Sequence, residues 1–109
     1  MNPYDIAHQL AKALRESTEY KEYKSAREAV DSDQSKKTIV DEFRKTQLEV
    51  QGLKAFGQDV SEEQMKKLSD LYNLVSMDEQ VKSLIQAEQR LGLMLSDIHK
   101  IIGDALKPE

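Results

Sequence analysis

The chain has 109 residues, room for one domain, with 39% hydrophobic and 33% charged side chains, so apolar surface is scarcer and charge denser than in an average globular domain. A net charge of −4, with acids and bases interspersed along the chain, argues against a nucleic-acid-binding face, and the lack of cysteine excludes disulfides, thiolate nucleophiles and cysteine-held metal clusters. No signal-like apolar segment opens the sequence and no apolar run nears the ~20 residues of a spanning helix, so a cytoplasmic location without membrane insertion is expected.

Pro3 follows Asn2 as a first helical residue follows its cap, and Ile6, Ala7, Leu10, Ala13 and Leu14 share one face, which predicts a helix over 3–16. Ser17 and Thr18 offer a cap or a bend. Over 19–30, Tyr20, Tyr23, Ala26 and Val30 recur three and four apart, as a second helix or a continuation of the first. Asp31, Ser32 and Asp33 form the clearest break, because short polar side chains compete for backbone hydrogen bonds and prefer caps to helix interiors.

A third helix is predicted from Asp33 to Phe56, with Ile39, Val40, Phe43, Gln47, Val50 and Leu53 inward and Gly57 as its stop. Gly52 costs that helix about 1 kcal/mol relative to alanine, so bending or fraying is expected after Val50. Ser61 and Gln64 have the spacing of a capping box, Val60 is placed to staple onto Met65, and the fourth helix aligns Met65, Leu68, Leu71, Tyr72 and Val75. A second box, Ser76 with Glu79, or Asp78 alone, opens the last helix.

That last helix carries the most regular pattern. From Asp78 to Leu106 one heptad series reads Val81, Glu88, Leu95, Ile102 and the other Leu84, Leu91, Ile98, Ala105. A helix of that length spans roughly 43 Å, longer than a domain of this size is wide, so it needs partners along its length. The expected fold is all-α: four or five helices as an antiparallel hairpin or bundle in a single domain over 1–109, dimeric, with the heptad helix last. The candidate seam comprises Val81, Leu84, Glu88, Leu91, Leu95, Ile98 and Ile102.

Glu88 interrupts the seam and is read as a register-fixing ion pair or a rim residue, in preference to a buried acid or metal ligand. His8 and His99 lack a ligand three or four residues away on the same face, so no metal or cofactor is expected. Phosphate loops, nucleophile elbows and paired catalytic acids are missing, so no enzyme is expected. Tyr4, Tyr20, Tyr23 and Tyr72 are read as bundle-edge residues in preference to binding anchors. Gly92, beside Leu91, is read either as room for another helix to approach closely or, equally, as a glycine merely tolerated there.

The run Ala87-Glu88-Gln89-Arg90-Leu91, continuing through Leu95, Asp97-Ile98 and Ile101-Ile102, resembles the C-terminal signature of the YheA-type proteins within the YlbF/YmcA superfamily. Tyr4-Asp5, Leu10, Ala13 through Ser17 and Tyr20 resemble that family's opening, and Asp41-Glu42-Phe43-Arg44 its middle. The resemblance implies an all-α protein that pairs as a dimer and supplies no catalytic residues. It also implies kinship with members that act in a complex modulating an endoribonuclease, and with it competence, sporulation and biofilm formation. The iron–sulfur clusters of that complex are cysteine-bound and do not carry over to a chain without cysteine. The expected function is a non-enzymatic adaptor or regulatory protein, a homodimer that also contacts a regulatory protein partner. The alternatives are an RNA-associated regulator of RNA processing, with salt-sensitive binding, and a small-ligand bundle built around Glu88.

Overall fold

The computed structural model describes residues 1–108. They form five helices: α1 (Pro3–Arg15), α2 (Thr18–Asp31), α3 (Gln34–Ala55), α4 (Glu62–Met77) and α5 (Glu79–Ala105). Each begins where its cap chemistry dictates. The Asn2 side chain accepts from the Tyr4 amide at 2.8 Å with Pro3 in the first turn. Between α1 and α2 the Ser17 hydroxyl accepts from the Tyr20 amide at 3.1 Å and donates to the Leu14 carbonyl at 2.6 Å, so a single serine ends one helix and starts the next. Helix α2 is therefore separate from α1.

Asp33 caps α3 by accepting from the Ser35 and Lys36 amides. At the other end Gly57 takes φ +69°, and the Gln58 amide reaches the Leu53 carbonyl at 2.8 Å, the left-handed turn that glycine adopts without a Cβ penalty. Helix α3 continues unbroken past Gly52 to Ala55, so the bend expected after Val50 does not occur. Ser61 and Gln64 form the reciprocal capping box at the start of α4. At the start of α5 it is Asp78 that caps: its carboxylate accepts from the Gln80 and Val81 amides, both at 3.0 Å. Ser76 instead donates to the Tyr72 carbonyl within α4.

Two compact units are distinguishable, Glu28–Ser83 and, separately, Met1–Arg27 with the chain from Leu84 onward. Within the first, α3 and α4 pack as an antiparallel hairpin: Phe43 meets Tyr72 at a ring-centroid separation of 6.5 Å, and Lys67 pairs with Glu42 at 3.6 Å. Its buried side chains are Val30, Val40, Phe43, Thr46, Val50, Val75 and Val81. The inner face of α3 is rotated from the expected one, with Thr46 buried and Gln47 exposed. On α4 only Val75 is buried outright; Leu68 and Leu71 are half-buried, and Met65 and Tyr72 lie open at the hairpin's edge.

In the second unit Arg90 of α5 pairs with Glu22 of α2 at 3.2 Å. Both partners are half exposed, so this contact contributes only about 0–1 kcal/mol and serves mainly to set position. Leu84 and Ala87 are buried, whereas α1 has no buried residue at all.

Candidate interaction surface

The heptad seam of α5 is a single helical stripe whose burial changes along its length. Val81 and Leu84 are completely inaccessible to solvent. Glu88 and Leu91 are half-buried, Leu95 is 37% exposed, Ile98 is half-buried and Ile102 is 48% exposed. All seven candidate seam residues thus lie on one continuous helix; its first turns are covered, and its later turns alternate between half-buried and exposed. Beside that open stretch Leu93, Ile101 and Leu106 are also exposed. Burial of apolar surface is worth about 25 cal/mol per Å², so the exposed face is an unspent driving force for association.

Glu88 sits at the change from covered to open and is engaged by a neighbouring group. On α1, Ile6 is exposed while Leu10 and Leu14 are half-buried, so the apolar side of the first helix is only partly covered. Tyr20 and Tyr23 on α2 lean together with centroids 6.4 Å apart. Apart from its own chain neighbours and helix backbone, none of the described residues lies within 4 Å of where a Cβ would stand at Gly92. His8 and His99 are both exposed. Among the described residues no cluster of three or more His, Cys, Asp or Glu is arranged to hold a metal, and no helix is long and apolar enough to cross a membrane.

The seam is anchored by a polar latch with no counterpart in the sequence pattern. Lys36, on the first turn of α3, donates to the Gln80 side-chain oxygen at 2.7 Å and stands 3.3 Å from the Asp78 carboxylate. Asp78 is held below the usual carboxylate range chiefly by the hydrogen bond from the Val81 amide, with Lys36 and the Gln80 amide adding to that effect against partial desolvation. A cap and an ion pair thereby meet on the one residue that separates α4 from α5, directly before the buried Val81.

The described residues form an all-helical fold whose most regular helix leaves part of its apolar stripe open. The chain belongs to the YlbF/YmcA family, described as control of the competence regulator ComK, whose pattern it matches over residues 4–107. It is 42% identical over 103 residues to a UPF0342 protein of Symbiobacterium thermophilum, covering 94% of this chain and 92% of that one. A UPF0342 protein of Caldicellulosiruptor saccharolyticus is 38% identical over 105 residues, covering 96% and 88%. Among solved structures, a protein of unknown function (DUF964) from Bacillus stearothermophilus superposes with a TM-score of 0.78 at 21% identity, over 94% of this chain and 90% of that one. Bacillus subtilis RicA, solved in complex with RicF, superposes with a TM-score of 0.62 at 21% identity, over 94% and 91%. The two structures share the helical fold with this chain.

Proposed function

We propose that this protein is a non-enzymatic regulatory subunit in the cytoplasm that acts by pairing, as a homodimer, through the open part of the α5 seam. The observation that carries the reading is the burial gradient, from Val81 and Leu84 at 0% exposure to Ile102 at 48% on one heptad register. A stripe that is consumed at one end and available at the other has room for a second helical chain along Leu91, Leu95, Ile98 and Ile102. Two further facts support it: the family is described by control of a regulator, and RicA, a fold neighbour, was solved with a protein partner. Gly92 beside Leu91 lets a facing helix come close.

Multi-angle light scattering is the direct test. At micromolar concentration the chain is expected to run at twice its single-chain mass, and the double substitution Leu95→Glu with Ile102→Glu is expected to return it to single-chain mass without loss of helicity. A wild-type protein that stays at single-chain mass across that range would overturn homodimeric pairing.

A further inference from the structure

Among the described residues, α1 is the one helix that buries no side chain outright. Val30 on α2, Val40 on α3, Val75 on α4 and Val81 and Leu84 on α5 are all buried, so each of the other helices has a core to hold it. Helix α1 has 13 residues. At that length a helix standing alone in water is marginal, because most helical stability in a folded protein comes from packing an apolar face. Its caps act only at its ends: Asn2 accepts from one amide of the first turn, and Lys12 and Arg15 complement the dipole of the last. They cover no apolar surface.

The helical repeat sets the apolar side chains of α1 in a broad arc centred on Leu10, with Ile6 and Ala13 to one side and Leu14 and Ala7 to the other. Leu10 and Leu14 are half-buried, whereas Ile6, Ala7 and Ala13 are exposed, Ile6 to 42%. The chain thus covers the middle of the arc in part and leaves its margins to water.

The size of the α5 seam indicates what the cover is. From Leu91 to Ala105 the open stretch is roughly 22 Å long at about 1.5 Å per residue, and a helix is about 10–12 Å across, so it presents a strip of roughly 250 Å². Interlocking side chains bury more accessible area than a flat strip, yet even twice that figure falls short of the ~800 Å² that each partner of a stable pair buries. Pairing through α5 alone is undersized. The compact unit that holds the chain from Leu84 onward also holds α1, which presents a second strip of roughly 20 Å with uncovered apolar margins. The two strips together reach the size that neither has alone. A partner of another kind on α1 would leave the α5 strip as undersized as before.

We infer that the second copy of the chain covers α1 as well as α5, with Ile6, Ala7 and Ala13 packing against the paired chain. Because the cover of α1 is then the paired chain, which rests on the homodimeric reading above, α1 opens more readily whenever the chain is single.

The test uses the full chain. Sedimentation equilibrium reads the pairing constant of wild type, Ile6→Glu and Lys12→Gln; the two substitutions change net charge equally, but Lys12 lies on the far side of α1 from Leu10. Ile6→Glu is expected to weaken pairing at least about tenfold and Lys12→Gln less than about twofold. Hydrogen exchange then compares the wild-type pair with the single chain made by Leu95→Glu with Ile102→Glu. Amides of α1 are expected to exchange at least about tenfold faster in the single chain, with those of the α3–α4 hairpin alike in both. Unchanged pairing in Ile6→Glu, equal weakening by Lys12→Gln, equal exchange of α1 in the two states, or faster exchange of the hairpin along with α1 would each overturn the inference and leave the homodimer standing. A wild-type chain of single mass at every concentration would instead overturn the homodimer and this inference with it.

Discussion

The first turns of α5 and its last turns obey the same heptad rule and meet opposite fates. Around Val81 and Leu84 the apolar positions are sealed from water; around Leu95 and Ile102 equally apolar residues in the same register remain exposed. Helix α1 repeats the second case, a clean apolar face of which no residue is buried. Periodicity therefore states which side of a helix seeks cover, and leaves open whether the cover comes from the same chain. Where hairpin residues and a polar latch converge, as at Asp78 and Lys36, the stripe becomes core. Beyond that region it becomes surface.

The sharpest way to break this contrast is to shorten side chains at its two ends. Leu84→Ala removes a fully buried leucine and is expected to cost about 2–5 kcal/mol, read as the fall in urea-unfolding free energy. Ile102→Ala, in protein diluted to the single chain, should cost under about 1 kcal/mol because Ile102 is already 48% exposed to water. Equal losses at the two positions would mean that the seam is covered uniformly.

A smaller effect tests what pins the covered end. Asp78 has its carboxyl held low in the folded chain, so its stabilisation is complete above the ordinary carboxylate value of 3.8 and drains away as the pH falls through the lower folded value. Thermal melts taken downward from about pH 5 should therefore show a decline that Asp78→Asn reduces, because an amide oxygen still caps the helix but no longer titrates. At neutral pH, Asp78→Ala should lose roughly 1 kcal/mol through the cap. A decline at low pH as steep in Asp78→Asn as in wild type would assign the acid sensitivity elsewhere.

The smallest expected effect is a gain. Thr46 is fully buried in α3 and its hydroxyl has no hydrogen-bond partner, an arrangement that carries a desolvation cost. Thr46→Val keeps the shape and removes the hydroxyl, so it should raise unfolding free energy by about 1 kcal/mol in a chemical melt. A loss of similar size would show that the hydroxyl is satisfied in solution and that the inner face of α3 is less dry than the valines around it.

Local chemistry was the legible part of this chain. Asn2 with Pro3, Asp33, the Ser61–Gln64 pair and Gly57 each name a helix boundary, because caps act over two or three residues and the sequence displays them whole. The helical class followed from the spacing of apolar residues. Rotation of α3 was less visible: Thr46 and Gln47 are three and four residues from Phe43, both compatible with its face, and only packing against α4 selects the threonine. The latch from Lys36 to Asp78 and Gln80 was invisible, since 44 residues separate Lys36 from Gln80 and charges at that distance carry no register. For the same reason no pattern could reveal where along α5 the cover stops.

The division of the chain into an uninterrupted stretch, Glu28–Ser83, and a unit assembled from Met1–Arg27 and the residues from Leu84 onward has a consequence for how the molecule is made. The hairpin is complete as soon as its own residues leave the ribosome. Helices α1 and α2, synthesised earlier, must wait for α5 to emerge, a delay of roughly 3–12 s for the intervening stretch at 5–20 residues per second. During those seconds Glu22 on α2 lacks the Arg90 of α5 with which it pairs in the folded unit.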